Sequence, residues 1–516
     1  MEQTVVDLFR DSAYRYPAKT ALQFYKRLMT YGELDVVSVQ FAKFLIEKGL
    51  RVGDRVVMIL PNCPQFVIAY LGILRAGGVV AALNPLLKAD EQLKLVQQTN
   101  PRFIISLQDF SGSNLIISKN LCEDQKLILV SLGRCLPVEL SCLYRLKNLF
   151  KFKPSQAYRW DWLMRQDWHG HLPDLDSDSL AVLQFTGGTT GVPKAAKLTH
   201  KNLLSNALQA TGFIGNLINK DSVLMGVIPF WHVFGLSVCL NIALAKGSKV
   251  ILMLKFDANR LLKLMVKEKV TLFPSVPRIF SVLLKNRRIS HADWSALRLS
   301  VSGAGALDGR VKSEFEKITG ATIIEGYGLS EASPIVSINP VDNARPGSLG
   351  RLVTGTEAKI VEGELWVKGP QVMAGYWENA DETAEVLTPD GWLKTGDMVR
   401  IDPEGFLWME DRKKDLIKVR GENVYPKEIE EVINRCNRVQ ESAVVGIPDR
   451  DYGERIVACV VLKPEYRDKT SVDILLGFCR DALPKYKCPQ TIKFFDELPK
   501  TILGKVLKKD LRKMVS

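Results

Sequence analysis

The sequence predicts an α/β protein: a large N-terminal domain of wound parallel sheets with a small β subdomain, followed by a small α+β C-terminal domain. Three observations carry that reading. Short apolar runs alternate with helix-length segments from about Asp54 to Ile324. Past Pro346 the texture changes to brief β segments broken by turns. A charged run, Asp411-Arg412-Lys413-Lys414-Asp415, then precedes a last compact stretch, and this sets the expected domains at 1–411 and 412–516. With 516 residues the chain is well beyond the ~250–300 at which one hydrophobic core stops growing.

Taken in order, Asp54 to Leu60 reads as a buried strand, Pro61-Asn62 as its turn, Cys63 to Ala76 as a helix and Gly77 to Leu83 as the next strand, which makes one βαβ unit. Leu180-Ala181-Val182-Leu183 reads as a strand feeding a glycine-rich loop. The 23 residues Val223 to Ala245 contain no Asp, Glu, Lys or Arg, enough by count to cross a bilayer. Pro229, Trp231, His232, Gly235 and Asn241 interrupt that run, so it reads as a strand to Ile228, a turn at Pro229 to His232 and a buried helix from Gly235. A second wound half follows: strands at Lys249 to Leu252, Thr271 to Phe273, Leu297 to Val301 and Thr322 to Ile324, with helices near Asn259 to Lys269, from Pro277 and near Gly309 to Thr319. Glu364 to Val367, Met398 to Ile401 and Phe406 to Met409 read as strands of the β subdomain. The last stretch reads as helix Pro426 to Arg435, strands Ser442 to Val445 and Ile456 to Val461, helix Val472 to Leu483 and strand Ile492 to Phe494. No sequence repeat or low-complexity tract appears.

A net charge of +13 favours acidic partners, and the lack of RNP, zinc-finger or basic-zipper patterns argues against nucleic acid. Nine cysteines form no CxxC pair, and Met1-Glu2-Gln3-Thr4 lacks the basic-then-apolar plan of a signal peptide, so a cytoplasmic setting is expected. Five histidines have no partner cysteines at zinc spacing, so no structural metal is expected. Residues 143–160 interleave Arg145, Lys147, Lys151, Lys153 and Arg159 with aromatic and apolar side chains; this is either a solvated helix and loop or a peripheral contact with an anionic membrane.

The chemistry centres on Thr186-Gly187-Gly188-Thr189-Thr190-Gly191-Val192-Pro193-Lys194. Glycines bring backbone N–H groups close to an anion while threonine hydroxyls and an ammonium add donors, which suits polyphosphate. The spacing is not that of a P-loop NTPase, because Pro193 precedes Lys194 and Ala195 follows it. The nine residues resemble the phosphate-binding motif of the adenylate-forming superfamily of acyl-CoA synthetases, luciferases and peptide-synthetase adenylation domains, with Gly187 in place of a serine and Ala195 in place of a glycine. Four more stretches match that superfamily in order, so the resemblance spans nearly the whole chain and is closest to bacterial long-chain fatty acid–CoA ligases.

The resemblance implies ATP, Mg²⁺ and coenzyme A as cofactors and co-substrates, and assigns residues to them. Ser302 to Ala306, with Gly303, Ala304 and Gly305, would line the adenine site. In Glu325-Gly326-Tyr327-Gly328-Leu329-Ser330-Glu331 the tyrosine would lie by adenine, Ser330 stands for the usual threonine, and Glu331 would hold Mg²⁺. Asp397, in Thr395-Gly396-Asp397, would accept hydrogen bonds from the ribose hydroxyls, although alone it reads equally as a turn aspartate. Arg412 would contact the nucleotide, Lys414 would be the hinge of a mobile lid, and Arg420, Gly421 and Glu422 would approach the pantetheine path. Lys505, in Pro499 to Val506, would bridge the substrate carboxylate and the α-phosphate, and His232 would flank the carboxylate path. His232 reads otherwise as a packed core imidazole.

The expected reaction joins two anions, a fatty carboxylate and ATP, whose repulsion is offset by Lys194, Lys505 and Mg²⁺; pyrophosphate leaves, and a thiol then displaces AMP. The rival readings are an acyl-AMP ligase that loads a carrier protein, a phosphate-releasing ATPase, and a membrane-attached nucleotide-binding protein without catalysis. A homodimer is left open.

Overall fold

The computed structural model describes residues 3–148, 157–186, 193–419, 422–449, 452–467, 469–501, 504 and 506–516. Numbered in chain order, its first strands are β1 (Thr20–Phe24), β2 (Arg27–Thr30), β3 (Arg55–Ile59), β4 (Val79–Ala82), β5 (Phe103–Leu107), β6 (Lys126–Val130), β7 (Tyr158–Arg159), β8 (Leu180–Thr186) and β9 (Lys194–Thr199). They continue with β10 (Val223–Gly226), β11 (Lys249–Leu252), β12 (Leu272–Ser275), β13 (Leu299–Ser302), β14 (Thr322–Gly328), β15 (Ile335–Ile338) and β16 (Arg351–Leu352).

Among the described residues these strands make two sheets. One has the order β7-β6-β5-β3-β4-β8-β9, and the other β16-β15-β14-β13-β12-β10-β11-β1-β2. The first is parallel except for the β8/β9 hairpin, and the second is parallel from β14 through β1 with antiparallel edges. Both faces of the first sheet are covered, as the unbroken apolar run of β3 demands: Val56 and Met58 join the main core while Val57 and Ile59 join a second cluster behind the sheet. The helix Pro64–Arg75 is buried at every position, as expected of a helix apolar all round, and Phe66 meets Phe230 of the other half edge to face at 5.6 Å. Asn62, in the turn before that helix, donates to the carbonyls of Gly226 and Ile228 and accepts from Phe230 N–H at 2.8 Å, so it fixes the turn after β10.

The apolar run 223–245 folds as β10, the turn at Pro229 to His232, a π-helix over Gly235–Asn241 and a short α-helix Ile242–Ala245. Among the described residues no helix is long and apolar enough to cross a membrane. The buried helix expected from Gly235 thus begins as a π-helix. Its first residue explains part of it: a Cβ on Gly235 would lie 2.2 Å from the Pro229 carbonyl oxygen, so only glycine lets the wider turn start against that backbone. Gly235→Ala should therefore lower stability by about 1–3 kcal/mol or more, read from the midpoint of urea unfolding. An unchanged midpoint would show that the backbone yields there.

A four-stranded antiparallel sheet follows, from Glu357–Val361, Glu364–Lys368, Leu393–Ile401 and Leu407–Arg412. Beyond it lies a separate, smaller C-terminal domain, whose five-stranded sheet holds Ile417–Val419, Glu422–Val424, Val439–Asp449, Gly453–Leu462 and Thr491–Phe494. Its two apolar clusters draw only on residues from Ile417 onward, so it carries its own core.

Several expected boundaries move. β14, expected to end at Ile324, runs on to Gly328, so the Glu325 to Gly328 motif lies on the strand itself, and a bulge at Tyr327/Gly328 turns the chain. The strand expected from Met398 begins at Leu393, and the one expected to end at Met409 reaches Arg412. Asp397 is thus a strand residue whose Cα pairs with that of Arg412, and the charged run begins inside the sheet before a 3-10 turn at Lys413–Asp415. The expected strand-to-loop element at 180–194 is a hairpin, with Thr186 opposite Lys194.

Candidate active site

Loop residues 187–192, which include Gly187, Gly188, Thr189, Thr190 and Gly191, lie outside the described residues, as do Arg420, Gly421 and Lys505. The flanks of the loop are described. Lys194 opens β9, and its Nζ sits 2.5 Å from Glu382 Oε2 and 5.2 Å from the centre of the Tyr376 ring. Tyr376 is brought there because residues 374–377 run along β9, with Trp377 N–H donating to Ala195 O and Lys197 N–H to Gly375 O. Its hydroxyl donates to Glu331 Oε1 at 2.8 Å, and Met373 N–H donates to the Glu331 carbonyl. Burial and the neighbouring Glu331 carboxylate push the Tyr376 phenol up, so it stays protonated and donates. Lys194, Tyr376, Asn379, Glu382, Gln98 and Pro193 line a cavity of about 190 Å³.

A second group adjoins the first through β14, whose end leads into the 3-10 turn that carries Glu331. Tyr327 lies four residues before Glu331, and its hydroxyl donates to Asp397 Oδ2 at 2.6 Å. Asp397 is 2 % exposed, and Arg412 Nε approaches its other oxygen at 3.0 Å. Burial first, and then the Asp397 charge, raise the Tyr327 phenol well above its usual range. Gly328 admits the strand turn because a Cβ there would lie 2.1 Å from Pro334 O, and Ser330 sits in the 3-10 turn that carries Glu331.

Glu325 organises the expected adenine wall. Its carboxylate accepts from Leu307 N–H and Gly347 N–H, each at 3.3 Å, and burial raises its pKa. Those bonds tie β14 to the segment holding Gly303, Ala304 and Gly305. Ala304 takes φ +67°, and a Cβ on Gly303 would meet the Phe234 ring at 3.0 Å. Phe234 leads back to His232, whose Nδ1 accepts from Phe234 N–H at 3.3 Å, while Gln184 of β8 donates to Trp231 O. His232 therefore lies between the strand that leads into the glycine loop and the Gly303 segment.

Burial lowers the pKa of both His232 and His200 to about 4 from an ordinary 6.5. His232 is accordingly a neutral imidazole near pH 7 and adds no cation to the site. Between pH 6.5 and 4 the unfolded chain takes up protons that these rings refuse, so their contribution to stability is complete above about 6.5 and lost as pH falls through that window. The urea midpoint should drop from pH 7 to pH 5, less steeply in His200→Leu; equal slopes in the two proteins would contradict this.

Glu331 fits a divalent cation. Its Oε1 is held by Tyr376, and among the described residues its Oε2 has no hydrogen-bond or ion-pair partner. Among the described residues no three His, Cys, Asp or Glu side chains cluster into a self-sufficient metal site, so a cation at Glu331 would take its other ligands from phosphate oxygens and water, as Mg²⁺ prefers. All nine cysteines are free.

The structure thus brings Lys194, Glu331, Tyr327, Asp397, Arg412, Glu325, the Gly303 segment and His232 around one region. Lys414 lies just past it in the turn after Arg412, and Glu422 lies exposed on a strand of the C-terminal domain. Tyr376 and Glu382 were missed. Their only local signal was Gly375-Tyr376-Trp377 followed by acidic residues around a helix cap at Asn379.

Among the described residues, the C-terminal domain touches this region through Lys427 and Gly504. Lys427 donates from Nζ to Met409 O and from its backbone to Asp411 Oδ2. Gly504, next to Lys505 in sequence, lies against Arg278 of the helix Pro277–Leu284, with an ideal Cβ 3.2 Å from that of Arg278, and Pro277 in turn lies 3.8 Å from an ideal Cβ on Gly305.

Residues 9–377 match the AMP-binding enzyme family, and residues 428–505 match the AMP-binding enzyme C-terminal domain. A long-chain-fatty-acid–CoA ligase of Bacillus subtilis is 39 % identical over 99 % of this chain and 94 % of its own. The ATP-bound structure of MatB from Rhodopseudomonas palustris is 28 % identical with a TM-score of 0.87, covering 99 % of both chains, whereas apo MatB gives 0.77 over the same shares. An anthranilate CoA ligase, AuaEII, in complex with anthranoyl-AMP also gives 0.87 at 26 % identity, covering 99 % of this chain and 97 % of its own.

Proposed function

Because the chain belongs to the family of AMP-binding enzymes, the adenylate-forming acyl-CoA ligases, we propose that it condenses a medium- or long-chain fatty acid with ATP to acyl-adenylate and pyrophosphate, then transfers the acyl group to coenzyme A. The observation that carries this reading is the continuous wall from Lys194 through Tyr376 and Glu331 to Tyr327, Asp397 and Arg412: a cation, a carboxylate suited to magnesium, and a buried acceptor within one region.

Each group has a task. Lys194 and the glycine loop receive phosphate oxygens, and Lys194 exchanges its Glu382 partner for them. Asp397 accepts the ribose hydroxyls, and Tyr327 and the Gly303 to Gly305 backbone flank adenine. Magnesium held at Glu331 would screen the phosphate charge. The substrate carboxylate oxygen attacks the α-phosphorus, the bond to the β-phosphate oxygen breaks, and pyrophosphate carries away the electron pair; Lys505 neutralises both reactants. The CoA sulfur, having lost its proton, then attacks the acyl carbon, and AMP leaves with the electron pair of the C–O bond. Neutral His232 beside the carboxylate path adds no charge to bind free fatty anion, so positive charge is concentrated on the lysines.

We take residues 1–411 as the adenylation domain and 412–516 as a lid that turns about Lys414, because a lysine that bridges the anions in the first step obstructs thiol entry in the second. Gly504 against Arg278 supports a lid seated for the first step, and the higher TM-score to ATP-bound than to apo MatB agrees with it. The test is acyl-thioester formation with a panel of fatty, aryl and amino acids, offering CoA and holo carrier protein separately. Oleoyl- or decanoyl-CoA with pyrophosphate as co-product is expected. Aryl thioester alone, carrier-bound product alone, or orthophosphate release would overturn the corresponding part.

A further inference from the structure

The two large sheets share one winding pattern that no sequence repeat announces. A central strand has its successor on one side and the next three strands, in order, on the other: β7-β6-β5-β3-β4 in one sheet and β14-β13-β12-β10-β11 in the other, parallel throughout. In wound α/β sheets ligands settle outside the carboxyl ends of the strands. The carboxyl ends of β12, β13 and β14 carry the Pro277, Gly303 and Tyr327 segments of the nucleotide site. The equivalent ends of β5, β6 and β7 carry Gln108, Ser131 and Trp160, and these open onto a separate cavity of about 290 Å³.

The lining of that cavity is cationic and aromatic. Arg134, Arg159 and Arg165 face it with a single carboxylate, Asp161, and Trp162 adds an indole that is 48 % exposed. Asp161 is occupied by Arg134 at 3.1 Å. Among the described residues the guanidinium groups of Arg159 and Arg165 have no hydrogen-bond or ion-pair partner. Planar guanidinium forks match phosphate oxygens, and an indole face accepts a ring or an acyl edge beside them. Gln108 and Ser131 supply neutral donors at the strand ends.

We propose that this cavity is a second, non-catalytic binding site for a phosphate monoester that carries an apolar or aromatic body. Two sources share that chemistry: a small soluble ester, and the head group of a phosphatidic acid in a bilayer. Arg159 and Trp160, from the described end of the basic, aromatic segment 143–160, contribute here.

The test uses the full chain and phenyl phosphate as probe. Tryptophan fluorescence should titrate with phenyl phosphate, weaken with added salt, and lose most of its change in Trp162→Phe. Arg159→Ala combined with Arg165→Ala should reduce affinity at least about 10-fold while thermal midpoint and acyl-CoA synthesis remain as in the parent, since neither arginine lies in the catalytic region. Vesicles of phosphatidylcholine with and without phosphatidic acid identify the source: co-sedimentation that depends on phosphatidic acid and on both arginines assigns the head group, and arginine-dependent phenyl phosphate binding without it assigns a soluble ester. Absence of saturable binding, or binding equal in parent and double variant, overturns the site. Binding itself is read without turnover, so its failure leaves the ligase reading where it stands.

Discussion

Asp397→Asn should weaken ATP binding on the order of 100-fold, seen as a rise in KM for ATP or a loss of heat in calorimetry. The side chain is almost wholly buried between two partners: the Tyr327 hydroxyl donates to one oxygen, and the Arg412 guanidinium lies 3.0 Å from the other. If ribose hydroxyls join that set, each gains a charge-assisted bond, and the loss of about one such bond, at about 1.5–3 kcal/mol, gives a factor of that order. Asparagine keeps the volume but turns one acceptor into a donor that faces Arg412. The same change should lower stability by about 1–3 kcal/mol, at the low end for a broken pair because Arg412 reaches solvent. The urea midpoint separates the two effects. A destabilised protein with parental KM for ATP would leave Asp397 a structural partner of Tyr327 and nothing more.

Lys505→Ala should cut carboxylate-dependent ATP–pyrophosphate exchange about 10²–10³-fold, the range for removing one preorganised donor to developing charge. Thioester formation from supplied acyl-adenylate should largely survive, because the second step needs room for the thiol and no bridge between two anions. A split between the half-reactions is the diagnostic feature. Equal loss in both would point to a folding defect in the Pro499 to Val506 loop.

Much of this was legible in the sequence, and the reasons differ from element to element. The helix Pro64–Arg75 and strand β3 were readable because an apolar run admits few environments, and the structure buries both between covered faces. The motifs at Gly303, Tyr327, Asp397 and Arg412 were readable only through their resemblance to a family pattern in the right order, since each alone reads as a turn or a solvated charge run. The Lys194 partners were not. Glu382 and Tyr376 reach Lys194 only because residues 374–377 lie along β9, and no local pattern encodes that pairing. The strand position of Asp397 was not legible for a related reason. Thr395-Gly396-Asp397 has turn composition, but Thr395 bonds Leu365 O across the sheet and Gly396 N–H finds Glu364, so tertiary pairing overrides the local preference. The shared winding of the two sheets escaped notice because strand order is a choice of distant partners that conserves topology and not residues.

The proposed two-step reaction needs a lid seated at the cleft for the first step and displaced for the second. Gly504→Cys combined with Arg278→Cys tests this most directly, since an ideal Cβ on Gly504 lies 3.2 Å from that of Arg278; Gly504 takes φ +88°, so the reduced double variant, which carries the same backbone strain, is the reference. Oxidised, the double variant should retain ATP–pyrophosphate exchange with a fatty acid and lose acyl-CoA synthesis, which reduction restores. Full acyl-CoA synthesis by the locked protein would contradict the moving lid, and loss of exchange on locking would show that the contact between Gly504 and Arg278 does not belong to the first step.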